Sequence, residues 1–287
     1  MEFIKGYMDR GEYRELLCEM TQLIFGFTFE DWYRDGHFKG EYIPYSFLDN
    51  GKIVANASAN IMKMMQNGRE KLYIQIGTVM TRPEFRNQGL ARSLIYKILE
   101  DYKDRVDGFY LYGNLSAEGF YSRIGFERLD QYRYSSRKAV SQSACMKFVK
   151  SEKEDLPKYG QALRNAYVNQ RLDQINRYSL QLFYTADMEA VYYNPELNCF
   201  AVIEQDDKCI HLKSIISSEY IPVLEVLKRI EMPYEEVVLG FTPENEDVAF
   251  FEVNPYDGED DYRFFYKGDA LQEIVTEKLY FPLMSHA

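Results

Sequence analysis

Between Leu72 and Tyr102 the sequence sets an alternating apolar run, a short polar loop and a helix-patterned run directly in series. In the first run Tyr73, Gln75, Gly77 and Val79 occupy one parity and Leu72, Ile74, Ile76, Thr78 and Met80 the other, which reads as a buried strand over 72–81. Pro83 stops it. Leu90, Leu94, Ile95, Ile98 and Leu99 then recur at helical spacing, so the loop Arg86-Asn87-Gln88-Gly89 opens a helix over 91–102. First-turn amides lack intrahelical partners and lie at the positive end of the helix dipole, so this junction is suited to an anion.

The flanking elements fall in a consistent order. A short strand at 1–5 precedes a helix over 12–25, with Leu16, Leu17, Met20, Leu23 and Ile24 on one stripe, and a second helix over 28–33. Strands at 42–48 and 53–62 are joined by Asn50-Gly51, and Asn67-Gly68 makes the next turn, so three strands form an antiparallel meander. After the 91–102 helix come a strand at 108–112, a helix at 117–123 and a strand at 126–134.

Arg86, Gly89 and Ala91 resemble the pyrophosphate-binding loop of the GNAT superfamily of acetyltransferases, whose signature is Arg or Gln, two variable residues, Gly, one variable residue, then Gly or Ala. The resemblance extends to the strand-exit sequence Thr78-Val79-Met80-Thr81-Arg82-Pro83-Glu84-Phe85-Arg86. It extends also to Asn114, Ala117, Tyr121, Gly125 and Phe126, which are similar to the next family motif. It implies a GNAT fold, an α/β architecture with a mixed, mainly antiparallel sheet flanked by helices, for a catalytic domain at 1–140.

Function follows from the same resemblance. Acetyl-CoA would be the co-substrate, with no metal. The main-chain amides of Gln88, Gly89, Leu90, Ala91 and Arg92 would hold its pyrophosphate, in a loop that Arg86 opens and Asn87 continues. Val79, Met80 and Thr81 would lie along pantetheine, with the Thr81 amide polarising the thioester carbonyl. Tyr121 would be the general acid, and Asn114 would contact the coenzyme or orient its loop. Relatives place a carboxylate base on the central strand, where this chain has Gln75; either a water chain, with Gln75, Asn56 and Asn60 positioning the water, or an acid from elsewhere is required. Trp32, Tyr33, Tyr42 and Tyr45 fall in the region covering the acceptor cleft, where aromatic walls suit an amine. The expected activity is acetyl transfer to a primary amine of a small molecule or peptide; the rival readings are an acyl-CoA sensor without turnover and a transferase of another acyl group.

The polar stretch 135–143 reads as a linker. Beyond it Met146-Lys147-Phe148-Val149-Lys150 echoes Met1-Glu2-Phe3-Ile4-Lys5 and precedes a helix over 156–168. A hairpin of 200–203 and 209–216, a helix over 220–230 and a strand at 236–241 repeat the earlier order. The expectation is a degenerate, non-catalytic GNAT-like α/β domain at 141–287, a tandem arrangement. At its strand-to-helix junction Ser217-Ser218-Glu219 replaces the glycine loop, with Ser218 as the cap, Pro222 in the first turn, and Glu219 where a pyrophosphate would sit.

Bulk properties exclude several classes. With 287 residues, 46% of them hydrophobic, the chain can fill one large or two ordinary domains. No apolar run approaches the roughly 20 residues of a membrane span. Glu2, Lys5, Asp9 and Arg10 leave no apolar signal-peptide core, so a cytoplasmic protein without membrane contact is expected. Cys18, Cys145, Cys199 and Cys209 form no Cys-x-x-Cys pair, and His37, His211 and His286 are too dispersed for a metal cluster. No Gly-x-Ser-x-Gly elbow supports a serine nucleophile. Through Val140 there are 20 Lys+Arg against 19 Asp+Glu, leaving 14 against 26 for the remainder. That acidic second half argues against nucleic acid and is compatible with a cationic acceptor.

Overall fold

The computed structural model describes residues 1–138, 140, 145–259 and 262–287. The chain begins with β1 (Glu2–Lys5), α1 (Gly11–Phe25) and α2 (Glu30–Arg34), followed by the meander of β2 (Tyr42–Asp49), β3 (Lys52–Gln66) and β4 (Arg69–Thr81). Asn50 and Asn67 adopt φ of 49° and 46°, the left-handed conformation that tight hairpin turns need and asparagine tolerates. Next come α3 (Leu90–Tyr102), β5 (Gly108–Gly113), α4 (Glu118–Ser122), β6 (Glu127–Leu129) and β7 (Gln131–Ser136).

The second half adds β8 (Val149–Lys150), α5 (Leu156–Arg164), β9 (Gln170–Gln174), α6 (Tyr178–Thr185), β10 (Val191–Asn194), β11 (Cys199–Asp206), β12 (Cys209–Ile216), α7 (Val223–Leu227) and β13 (Glu236–Leu239). It ends with β14 (Thr242–Pro243), α8 (Asn245–Val248), β15 (Glu252–Tyr256), β16 (Arg263–Lys267) and α9 (Glu273–Thr276).

Two mixed sheets organise these elements. The first runs β1-β2-β3-β4-β5-β16-β6, with β9 beside the far end of β3 and β14 beside β9; the second runs β15-β7-β13-β12-β11-β10-β8. Only β4 with β5 and β12 with β13 pair in parallel among the described strands. The expected α/β class with mixed, mainly antiparallel sheets is therefore what the chain adopts.

The division at residue 140 does not separate the sheets. β7 lies in the second sheet between β13 and β15, and β16 returns to the first sheet between β5 and β6. The run expected as one strand over 126–134 breaks at Asp130, sending β6 and β7 into different sheets. Of the expected linker, Ser135 and Ser136 belong to β7, while 139 and 141–143 lie outside the described residues.

Both faces of the first sheet are covered, which is why 53–60 of β3 is continuously buried. On one face Leu94, Ile95, Ile98 and Leu99 of α3 pack on Ala55, Ala57 and Ala59, whose small side chains let the helix approach. Each such side chain taken out of water is worth about 1.5–3 kcal/mol. On the other face Leu17 and Met20 of α1 pack with Trp32, Ile53 and Met80.

Candidate active-site cleft

The cleft originates in a single irregularity of β4. Asn56 pairs with Met80 and Ser58 with Gly77, so Thr78 and Val79 together oppose Ala57, and the extra residue makes a bulge. Thr78 takes φ of 41°, a conformation costly for a β-branched residue. A polar cluster holds it there. The Thr78 hydroxyl lies 2.9 Å from the Tyr42 phenol and 2.7 Å from Ser58 Oγ, and Asn56 Nδ2 donates to the Thr78 carbonyl at 2.9 Å.

Beyond the bulge β4 loses its second neighbour. Parallel pairing with β5 ends at Ile76 and Leu111, and Tyr112 and Gly113 pair only with β16. Arg82 N–H donates to the Val54 carbonyl, so alternation turns the amides of Val79 and Thr81 away from β3 and into the opening. The Arg86 guanidinium reaches back to donate to the Thr81 carbonyl at 3.3 Å.

The loop leads into α3 as the anion-site reading requires. Gly89 is the N-cap at φ 76°, a conformation glycine adopts without a Cβ penalty, and Asn87 is at φ 61°. The first helical bond runs from Ser93 N–H to the Gly89 carbonyl at 3.0 Å, leaving the amides of Leu90, Ala91 and Arg92 without intrahelical partners. Loop, strand edge and Tyr121 open onto one cleft of about 1280 Å³. Val79, Met80, Thr81, Arg86, Asn87, Gly89, Leu90, Ala91, Arg92, Asn114 and Tyr121 all line it. Gln88 alone of the expected set turns elsewhere, into a shallow groove along α3 with Tyr96 and Lys97.

Tyr121 sits on α4 with its ring 5.3 Å from Phe265 and 6.4 Å from Phe126. Burial pushes its phenol up to about 12, so the proton stays in place through the neutral range. No described residue bonds its hydroxyl. Asn114 Oδ1 accepts from the Ala117 amide at 3.0 Å and from Ser116 Oγ at 2.8 Å, fixing the turn into α4.

The expected water-positioning trio is otherwise engaged. Asn56 accepts from Ser46 Oγ while donating to Thr78, and Asn60 Nδ2 donates to the Gln75 carbonyl at 3.1 Å. Gln75 is bonded on both amide atoms by Ala287: it accepts from the Ala287 N–H at 3.0 Å and donates to the Ala287 carbonyl at 3.3 Å. Gly77 makes this approach possible, since a Cβ there would stand 2.6 Å from the Ala287 oxygen. The ring of His286, beside it, lies 4.1 Å from that of Tyr112 at a tilt of 49°, and burial lowers its imidazole to about 4.

Of the four expected aromatic wall residues, Trp32 and Tyr42 line the cleft. Tyr45 instead donates to Asp101 at 2.7 Å on the α3 side, and Tyr33 lies under the Arg14 guanidinium and donates to Asp9. Both are corrected to packing roles. Sequence reading missed the wall from the second half, where Gln174, Asn176, Ser179, Leu180, Phe183 and Tyr184 enter the cleft. The polar strand β9 lacks the alternation that would have marked it.

The corresponding junction of the second half is closed. The expected helix over 220–230 shrinks to α7, whose N-cap is Pro222, so Ser218 caps nothing. The Asp247 carboxylate accepts from the Val223 amide at 2.8 Å and from the Tyr220 hydroxyl, filling the position an anion would take.

Residues 20–129 match the family model described as an acetyltransferase (GNAT) domain. Among proteins of curated function none matches the chain. Among solved structures, a GCN5-related N-acetyltransferase from Kribbella flavida is similar at a TM-score of 0.58 and 16% identity, over 92% of this chain and 70% of that one. A GCN5-related N-acetyltransferase from Anabaena variabilis ATCC 29413 gives 0.57 and 12%, over 93% and 72%. Eis1 from Mycobacterium abscessus gives 0.55 and 12%, over 92% and 73%. At these identities the likeness establishes the fold, and it spans both halves. Residues 20–129 thus carry a match to a GNAT acetyltransferase domain, and the chain shares its fold with solved GNAT structures along most of its length.

Proposed function

We propose that the protein is an N-acetyltransferase that moves an acetyl group from acetyl-CoA to a primary amine. One observation carries this reading: the strand edge freed by the Thr78 bulge, the open N-terminus of α3 and Tyr121 face one cleft. Acetyl-CoA, when bound, supplies the activated thioester. The amides of Leu90, Ala91 and Arg92, with Arg86 and Arg123, suit its phosphates. A helix terminus alone contributes about 0.3–2 kcal/mol. Micromolar binding, about −8 kcal/mol, therefore draws also on main-chain contacts from Val79 and Thr81.

The Thr81 amide donates to the thioester oxygen as negative charge develops there. The amine nitrogen forms the new C–N bond as the C–S bond breaks, and Tyr121 gives its proton to the departing sulfur. An amine of lysine type, with a pKa of about 10.4, sheds a proton before it attacks. Of the two routes the sequence leaves open for that proton, a water chain or an acid from elsewhere, we take water in the cleft as the one that carries it away.

The test is release of coenzyme thiol from acetyl-CoA across a panel of primary amines, with mass spectrometry of the products. Amine-dependent release with one acetyl added is the expected result. Coenzyme binding without turnover on any amine would instead make the chain an acyl-CoA sensor.

A further inference from the structure

Past the Thr78 bulge the cleft continues to an end that both halves of the chain build. There β2 begins and β9 stops, leaving a gap beside β3 that Ile61 bridges. Ile61 N–H donates to the Glu41 carbonyl at 3.0 Å, and the Ile61 carbonyl accepts from Asn176 Nδ2 at 2.9 Å. Just beyond, α6 lays Phe183 along the cleft. Its ring stands 5.8 Å from Trp32, 5.8 Å from Phe29 and 5.5 Å from Phe27, while Trp32 Nε1 donates to the Ser179 carbonyl at 2.8 Å.

Charge is sparse at this end. The guanidiniums among the described lining residues are Arg86, Arg92 and Arg123, all from the coenzyme loop or the end of α4, and the one carboxylate side chain is that of Glu41. Glu41 forms no ion pair among the described residues, and its Oε2 is enclosed with no hydrogen-bond partner. A half-buried, unpaired carboxylate is unfavourable until a cation comes near. A second or third positive charge on the same ligand would meet no further carboxylate side chain among the described lining residues and would feel the repulsion of the three guanidiniums.

Resting on the acyl-transfer reading of the same cleft, we infer that the acceptor is a primary monoamine carried on an apolar, aromatic-sized body. Glu41 supplies the charge that draws its ammonium in, and the Trp32, Phe29 and Phe183 wall takes the body. Such a wall also attracts the ammonium through the ring faces. Glu41 acts here as a positioning residue, and the second half contributes selectivity through Phe183.

Calorimetry of 2-phenylethylamine, putrescine and spermidine against protein saturated with coenzyme A tests this independently of turnover, and thiol release repeats the comparison in kcat/KM. Phenylethylamine should bind at least tenfold more tightly than spermidine. Glu41→Gln should weaken phenylethylamine binding tenfold or more and raise KM more than it lowers kcat. Phe183→Ala should narrow the preference over spermidine while Phe183→Tyr retains it. Equal or tighter spermidine binding, no amine binding at all, or unchanged binding in Glu41→Gln would overturn the inference. Selective phenylethylamine binding with no acetyl transfer would support it and remove the acyl-transfer reading alone.

Discussion

Asn56 and Thr78 are locked together across the central hairpin: the Asn56 side-chain amide donates to the Thr78 carbonyl at 2.9 Å, and the Asn56 carbonyl oxygen accepts from Ser46 at 2.7 Å. This bond pins a left-handed threonine in the strand, and the strand therefore parts from β5. Replacing Asn56 by Ala leaves the Ser46 hydroxyl and Thr78 carbonyl without this partner in a buried place. Asn56→Ala should cost about 1–3 kcal/mol of stability and weaken acetyl-CoA binding by relaxing the bulge. Thermal denaturation and coenzyme titration read the two effects separately.

At the coenzyme loop, Gly89→Ala places a side chain at φ 76°. The left-handed conformation costs an alanine about 1 kcal/mol, and escape from it turns the first-turn amides of α3 away from the opening. Acetyl-CoA affinity should fall about tenfold or more, with kcat at saturation reduced less than kcat/KM. Calorimetry and steady-state kinetics measure both.

The cleft wall contributed by the second half depends on an ion pair. Arg177 donates to Asp173 at 2.6 Å with both side chains buried, tying the N-terminus of α6 to β9. Burial raises the Asp173 carboxyl, against the pull of Arg177. Arg177→Ala strands that carboxylate and should cost about 3–5 kcal/mol. Asp173→Asn combined with Arg177→Met should recover part of the loss. Denaturant unfolding of the three proteins checks this.

His286 ties stability to pH. Its imidazole is lowered to about 4 by burial, below the ordinary value near 6.5. The unfolded chain therefore binds a proton between these values that the folded chain refuses. The stability from keeping it neutral is complete above pH 6.5 and is lost as pH falls toward 4. His286→Gln should remove about 1–3 kcal/mol of this acid dependence, read as the difference between the two proteins' unfolding free energies across that window.

What the sequence disclosed and what it hid follow from the range of the interactions. Strand 72–81, the Gly89 loop and the α3 stripe are local patterns, and the two Asn-Gly turns hold their left-handed asparagines as composition requires. The spacing from Arg86 to Tyr121 likewise marks residues that line one cleft. The other side of the cleft is assembled from contacts far apart in the chain: Gln75 with Ala287, Trp32 with Ser179, Asn176 with Ile61. None leaves a periodic trace. β9 is polar although it pairs with Met64 and Met65 of β3, so it shows no apolar alternation, and the exchange of β7 and β16 between sheets is a matter of pairing that local pattern cannot specify.

The most direct measurement is the kinetics of Tyr121→Phe with acetyl-CoA and a turned-over amine. The phenyl ring keeps the packing against Phe265 and removes only the hydroxyl that faces the cleft. The expected outcome is a kcat lower by roughly 10²–10⁴ with acetyl-CoA affinity unchanged. A Tyr121→Phe protein with undiminished kcat would contradict the assignment of this residue as the acid of the reaction.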